Sequence, residues 1–154
     1  MTTSTIEIAA PPAKLLNFSA YPEWHTEWLK GIELKDSTKT PQELCSGDII
    51  EVNIENFNFV AEVKENSESL FSWQGPPVFT VAGLHKFYLE PANDGASTVF
   101  TQSEDLKSLL AFIMSPCLLG KKMRAHFDIF HRDLKARTEI AEIGGWSCHT
   151  RTVG

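Results

Sequence analysis

The chain is poor in cysteine. Its three, Cys45, Cys117 and Cys148, are odd in number, and none is spaced from another like a metal-ligand pair. That fits a reduced, intracellular setting. Basic charge is also scarce: 14 Lys and Arg stand against 20 Asp and Glu, a net charge of −6 with His neutral. A general nucleic-acid or anionic-membrane binder needs a basic face, and the acidic balance argues against that class. The basic run Lys121, Lys122 and Arg124 is short and reads as the solvated side of a helix. The longest apolar stretch, around Leu109 to Met114, is far too short to span a bilayer. The opening MTTSTIEIAAPP has no basic region followed by an apolar run, so no secretory signal is expected there. A cytoplasmic protein without membrane insertion is the expectation. No G-x-G-x-x-G, G-x-S-x-G or P-loop pattern occurs, and no two histidines have ligand spacing with a carboxylate. No metal and no cofactor is therefore expected.

What is present suffices for a core. Of 154 residues, 42% are hydrophobic, the proportion of an ordinary globular domain. One domain over residues 1–143 is expected, with a flexible tail over 144–154, where GWSCHTRTVG has no periodicity.

Period-two alternation dominates the first two thirds. Thr5 to Ala9 reads as a short strand ended by Pro11-Pro12. Ala13 to Phe18 reads as one or two helical turns, and Ser19 caps a second short helix through Trp28, with Pro22 in its first turn. Leu29 to Lys35 reads as a strand. Ile50, Val52 and Ile54 alternate with Glu51, Asn53 and Glu55, and Phe59, Ala61 and Val63 with Val60, Glu62 and Lys64. Another strand places Phe71 and Trp73 on one face. Asn93-Asp94-Gly95 marks a turn between two longer strands. On the first of these, Gly83, His85, Phe87 and Leu89 share a face; on the second, Phe100, Gln102 and Glu104 do.

Beyond Leu106 the period changes. Leu109, Ile113, Met123, Phe127, Phe130 and Leu134 recur at three- and four-residue spacing. A long helix from about Leu118 to Ile143 follows, stopped by Gly144-Gly145. The fold class is α+β: about seven antiparallel strands, two small helices after the first, and one long C-terminal helix. A meander of that width curls, and the helix covers its concave side. A sheet face that mixes Phe with His, Gln and Glu makes a poor solid core and a good cavity wall.

The segments IEIAAPP, FSAYPEWH, W-x-G-P-P, G-x-H-x-F-x-L-x-P and F-T-Q-S-E-D-L, in this order over roughly residues 5 to 142, resemble the SRPBCC superfamily. That group includes START domains, Bet v 1-like proteins and polyketide cyclase/dehydratase-like proteins. The resemblance implies a helix-grip fold, a curved antiparallel sheet gripping a long helix around a hydrophobic cavity. It implies binding of lipids, polyketides, hormones or similar molecules, and no single reaction. One departure stands out. Only Ala13 to Asn17 separate Pro12 from Phe18, about one helical turn fewer than in relatives. In relatives this small helix closes one edge of the cavity, so the resemblance implies either a more open cavity mouth or an altered gene product.

His85 and Glu104 are the candidate catalytic residues. If Phe87 faces the cavity, so does His85, whose imidazole can move a proton near neutral pH; a purely structural histidine is the other reading. Glu104, partly buried, can act as a general base, or it pairs with His85, or it caps the following helix. Asp105 should point outward. Candidate ligand contacts are Trp73, Phe71, Phe59, Phe79 and Phe112, then Phe87, Phe100 and Gln102 on the two long strands, then Met123, Phe127 and Phe130 on the helix. Phe57 is counted with the apolar lining. Trp24 and Trp28 share a helical face and serve packing, ligand contact, or both. The loop Gly75 to Thr80, with two prolines, reads as a stiff gate. His126 and His131 are expected at the solvated border of the helix stripe, and Cys117 as a small buried residue.

Two functions follow. One is binding of a small hydrophobic molecule, polyketide-, terpenoid- or lipid-like. The other is a cofactor-independent cyclase, dehydratase or isomerase of secondary metabolism that uses His85 and Glu104.

Overall fold

The computed structural model describes residues 1–15, 29–36, 38–54, 57–76, 82–107 and 116–144. Seven strands are β1 (Thr2–Ile8), β2 (Leu29–Leu34), β3 (Ile49–Ile54), β4 (Phe57–Asn66), β5 (Leu70–Gln74), β6 (Ala82–Ala92) and β7 (Ser97–Lys107). They form one antiparallel sheet in the order β1-β7-β6-β5-β4-β3-β2. β2 to β7 are consecutive neighbours, and β1 adds to the free side of β7. A four-residue helix, α1 (Pro12–Leu15), follows β1, and α2 (Pro116–Gly144) is the long helix. The architecture is the expected α+β curl of seven strands around one C-terminal helix. Among the described residues no helix is long and apolar enough to cross a membrane.

Alternation builds the sheet. Ile50, Val52, Ala61 and Val63 are buried on its inner face, while Glu51 and Glu62 on the outer face pair with Lys35 at 2.6 Å and Lys64 at 2.7 Å. Asp105 points outward as expected and meets Lys86 at 2.9 Å. Register shifts at Leu29/Gly31 and Val63/Glu65 bend the strands and help the sheet curl. The β6–β7 turn needs left-handed backbone at Asn93 (φ 50°), Asp94 (φ 54°) and Gly95 (φ 85°), which these residue types accept most readily.

β1 starts at Thr2 rather than Thr5, pairing residue by residue from Thr2↔Glu104 to Ile8↔Thr98. Its β-branched Thr residues suit a strand. Ser and Thr fill both faces, so hydrophobic alternation is weak there.

α2 buries Phe127, Phe130, His131, Leu134 and Thr138 at three- and four-residue spacing. Polar bonds hold it alongside β1. The Ser4 hydroxyl donates to Asp128 Oδ1 at 2.6 Å, and Arg124 donates to the Thr3 carbonyl at 3.1 Å. Lys135 Nζ donates to the Glu7 carbonyl at 2.6 Å, and Glu139 accepts from the Ala9 N–H at 2.9 Å. The helix therefore runs in the same direction as β1.

Two expectations are corrected. His131 is not at a solvated border: it is 2% exposed, because it lies one turn from Phe127 and from Leu134 in the buried stripe. Phe57 is not lining: it begins β4 at the β3–β4 turn and is 71% exposed. The second small helix with Trp24 and Trp28, the gate from residue 77 onward with Phe79, Phe112, and the tail beyond 144 lie outside the described residues. The Cys117 side chain does too.

Candidate functional site

Register brings the candidate residues together. Trp73 on β5 pairs with His85 on β6, and His85 pairs with Glu104 on β7, so the three stand in one row. The next row on the same face is Phe71, Phe87 and Gln102, and Leu89 with Phe100 follows. β1 extends the first two rows with Thr2 and Ser4.

His85 is 4% exposed. Its ring stacks on Trp73, with centroids 4.5 Å apart and planes at 20°, and on Phe87 at 5.8 Å. Phe127 of α2 meets it edge-on at 5.7 Å. Burial pushes its pKa down to about 3, so the imidazole is neutral at physiological pH. Glu104 Oε1 lies 3.7 Å from His85 Nδ1, beyond direct hydrogen-bond range. The Glu104 side chain is 16% exposed, and burial pushes its pKa up to about 7. A neutral imidazole forms no ion pair, so the two are neighbours rather than a salt bridge.

Gln102 is 0% exposed, and neither atom of its amide has a hydrogen-bond partner among the described residues. The same holds for Trp73 Nε1 and His131 Nε2. Burial pushes the His131 pKa down to about 4, against the opposing pull of Asp128. Buried polar atoms are nearly always paired, so the Gln102 amide and Trp73 Nε1, on adjacent rows of one sheet face, mark that wall.

Rings close part of the interval between sheet and helix. Phe130 meets Phe87 and Phe100 at 6.2 Å each, and His131 meets Phe100 at 5.3 Å. The expected cavity is narrowed where the sheet and α2 touch, at Phe87 and Phe100 and, through Phe127, at His85. Phe59 flanks Trp73 at 5.6 Å, and Met123 is partly buried against the core. Of the expected ligand contacts, Phe59, Phe71, Trp73, Phe87, Phe100, Gln102, Met123, Phe127 and Phe130 thus converge on the inner wall with His85 and Glu104. Trp24, Trp28, Phe79 and Phe112 are outside the described residues.

The residue that sequence reasoning missed is His131. Its place four after Phe127 and three before Leu134 was the available signal. An open surface pocket of about 450 Å³ lies elsewhere, lined by Lys35, Asp36, Leu44, Gly47, Asp48 and Ile49. Its Asp48 is committed to Lys39 at 2.7 Å. Among the described residues no three His, Cys, Asp or Glu are grouped to hold a metal ion.

No family model and no curated protein matches the chain. Solved structures do. A hypothetical protein, jhp0584, from Helicobacter pylori is similar with a TM-score of 0.66 at 13% identity, over 89% of this chain and 86% of that one. The protein XoxI from Bacillus cereus gives 0.65 at 11% identity, over 92% and 96%. A START superfamily protein from Mycobacterium smegmatis gives 0.61 at 18% identity, over 91% and 97%. At such identities the likeness speaks for the fold alone. With seven curled strands gripping one C-terminal helix, this chain has the helix-grip fold of that START superfamily structure.

Proposed function

We propose that the chain binds a small hydrophobic molecule between the sheet and α2, against the wall of Trp73, His85, Gln102 and Glu104. The observation that carries this reading is the set of buried polar atoms, Trp73 Nε1 and the Gln102 amide, left without partners on an otherwise aromatic face. In a solid core each costs about 1–3 kcal/mol with no return. In a ligand site, a few converging polar groups among apolar rings fix orientation. START-like folds commonly hold hydrophobic ligands, which supports the same reading. Residues 1–143 act as one binding domain in this account, in the cytoplasm, with polyketide-, terpenoid- or lipid-like molecules as the ligand class.

A second reading is a cofactor-independent cyclase, dehydratase or isomerase. The Glu104 carboxyl favours it, because a pKa near 7 suits a group that gives and takes a proton at neutral pH. His85, with its pKa near 3, is a poor base there. In this reading Glu104 moves the proton and the neutral imidazole positions the substrate.

A titration with the neutral solvatochromic dye Nile red tests binding. Saturable uptake of one dye per chain with blue-shifted emission is expected; an unshifted spectrum throughout contradicts it. Glu104→Gln then separates the readings: a pure binder changes in affinity only, whereas an enzyme loses turnover by orders of magnitude.

A further inference from the structure

We infer that the bound molecule is uncharged and carries a group that both donates and accepts a hydrogen bond, such as a carboxamide, a lactam or a hydroxy-ketone edge, and that Gln102 selects it. The assignment deepens the binding reading and rests on it.

Gln102 is fully enclosed in the middle of β7, opposite Phe87 on one side and Ser4 on the other. Ser4 gives its hydroxyl to Asp128, so it does not serve the amide. A primary amide presents one acceptor and two donors. A Met or Leu would fill the same volume among Phe rings without polar cost. The buried amide is thus a recognition group matched to a partner of the same double character. Two positions along β7, on the same face, stands Glu104, and across β6 from it the Trp73 indole adds a further donor. All three can serve a neutral oxygen- or nitrogen-bearing edge.

Charge narrows the class further. No described lysine or arginine is buried. Lys35, Lys39, Lys64 and Lys86 are engaged with surface carboxylates, and Arg124 and Lys135 with β1 carbonyls. Among the described residues the ionisable groups at the wall are His85 and Glu104, with His131 of α2 against Phe100, and none of them offers a cation at neutral pH. An ionised fatty acid or a phosphate would be desolvated there without a counter-charge, and beside a carboxyl. The aromatic wall instead suits a flat neutral body.

Three probes of equal shape test this by calorimetry on the purified full chain: naphthalene, 2-naphthamide and 2-naphthoate. The amide should bind about tenfold tighter than naphthalene or better, and the carboxylate more weakly than naphthalene. Gln102→Met and Gln102→Leu should each abolish the difference in affinity between the amide and naphthalene. Equal affinity for amide and naphthalene in the unsubstituted protein, tightest binding of 2-naphthoate, or an amide preference that survives both substitutions overturns the assignment while dye binding leaves the hydrophobic site standing. Failure of all three probes overturns it as well; failure of the neutral dye besides overturns the binding reading too.

Discussion

Glu104 and the two buried histidines give the protein opposing responses to pH. The carboxyl of Glu104 is raised from its ordinary 4.5 to about 7 by burial. Between those values the folded chain holds a proton that the unfolded chain has released. Stability from this group is therefore present below 4.5 and is lost as pH rises through 7. His85 and His131 act the other way, lowered from 6.5 to about 3 and about 4. The unfolded chain takes up their protons first, so stability falls as pH drops below 6.5. Glu104→Gln removes the first response alone. Urea unfolding at a series of pH values should show the variant more stable than the parent above pH 7, by on the order of 3 kcal/mol, with the gain vanishing toward pH 4.5. A gain that is the same at both ends would mean that Glu104 keeps an ordinary pKa.

At the scale of elements, α2 is fixed by rings on one side and polar bonds on the other. Phe130 touches both Phe87 and Phe100, joining helix to the two long strands. Phe130→Ala should destabilise the fold by about 3–5 kcal/mol in chemical denaturation, the range for deleting a buried ring. A loss under about 1 kcal/mol would show that the helix does not depend on this contact. Much of this grip was legible in the sequence. Strict alternation in β3, β4, β6 and β7 specified which residues share a face, and the cross-strand neighbours His85 and Glu104 followed from a hairpin turned at Asn93-Asp94-Gly95. Less was legible where polarity hides periodicity. β1 is rich in Thr and Ser, so its start at Thr2 was obscured. A histidine in a helical stripe reads as a border residue by polarity, yet by spacing His131 belongs to the core. Phe57 has the parity of the inner face, but a residue beside a turn has fewer neighbours to cover it. The filling of the interval by Phe87, Phe100 and Phe130 depends on how closely helix and sheet approach, which spacing along the chain does not encode.

At the scale of the whole molecule, the curl of the sheet decides what the inner wall can do. β1, β6 and β7 lie close under α2, with rings in contact. β2 to β4 turn the same apolar face inward, with Phe59 of β4 against Trp73 of β5. The start of β2, the β3–β4 turn, the end of β5, the start of β6 and the end of β7 all share one end of the sheet. The row of Trp73, His85 and Glu104 lies toward that end, and the row of Phe87 and Gln102 lies further from it. A crystal of the protein pressurised with xenon reports directly on the space concerned, because xenon enters dry apolar hollows and is located by its own scattering. The account predicts xenon bound on the inner side of the wall, within contact of Trp73, Glu104 or Phe127. Crystals that take up no xenon there would contradict it.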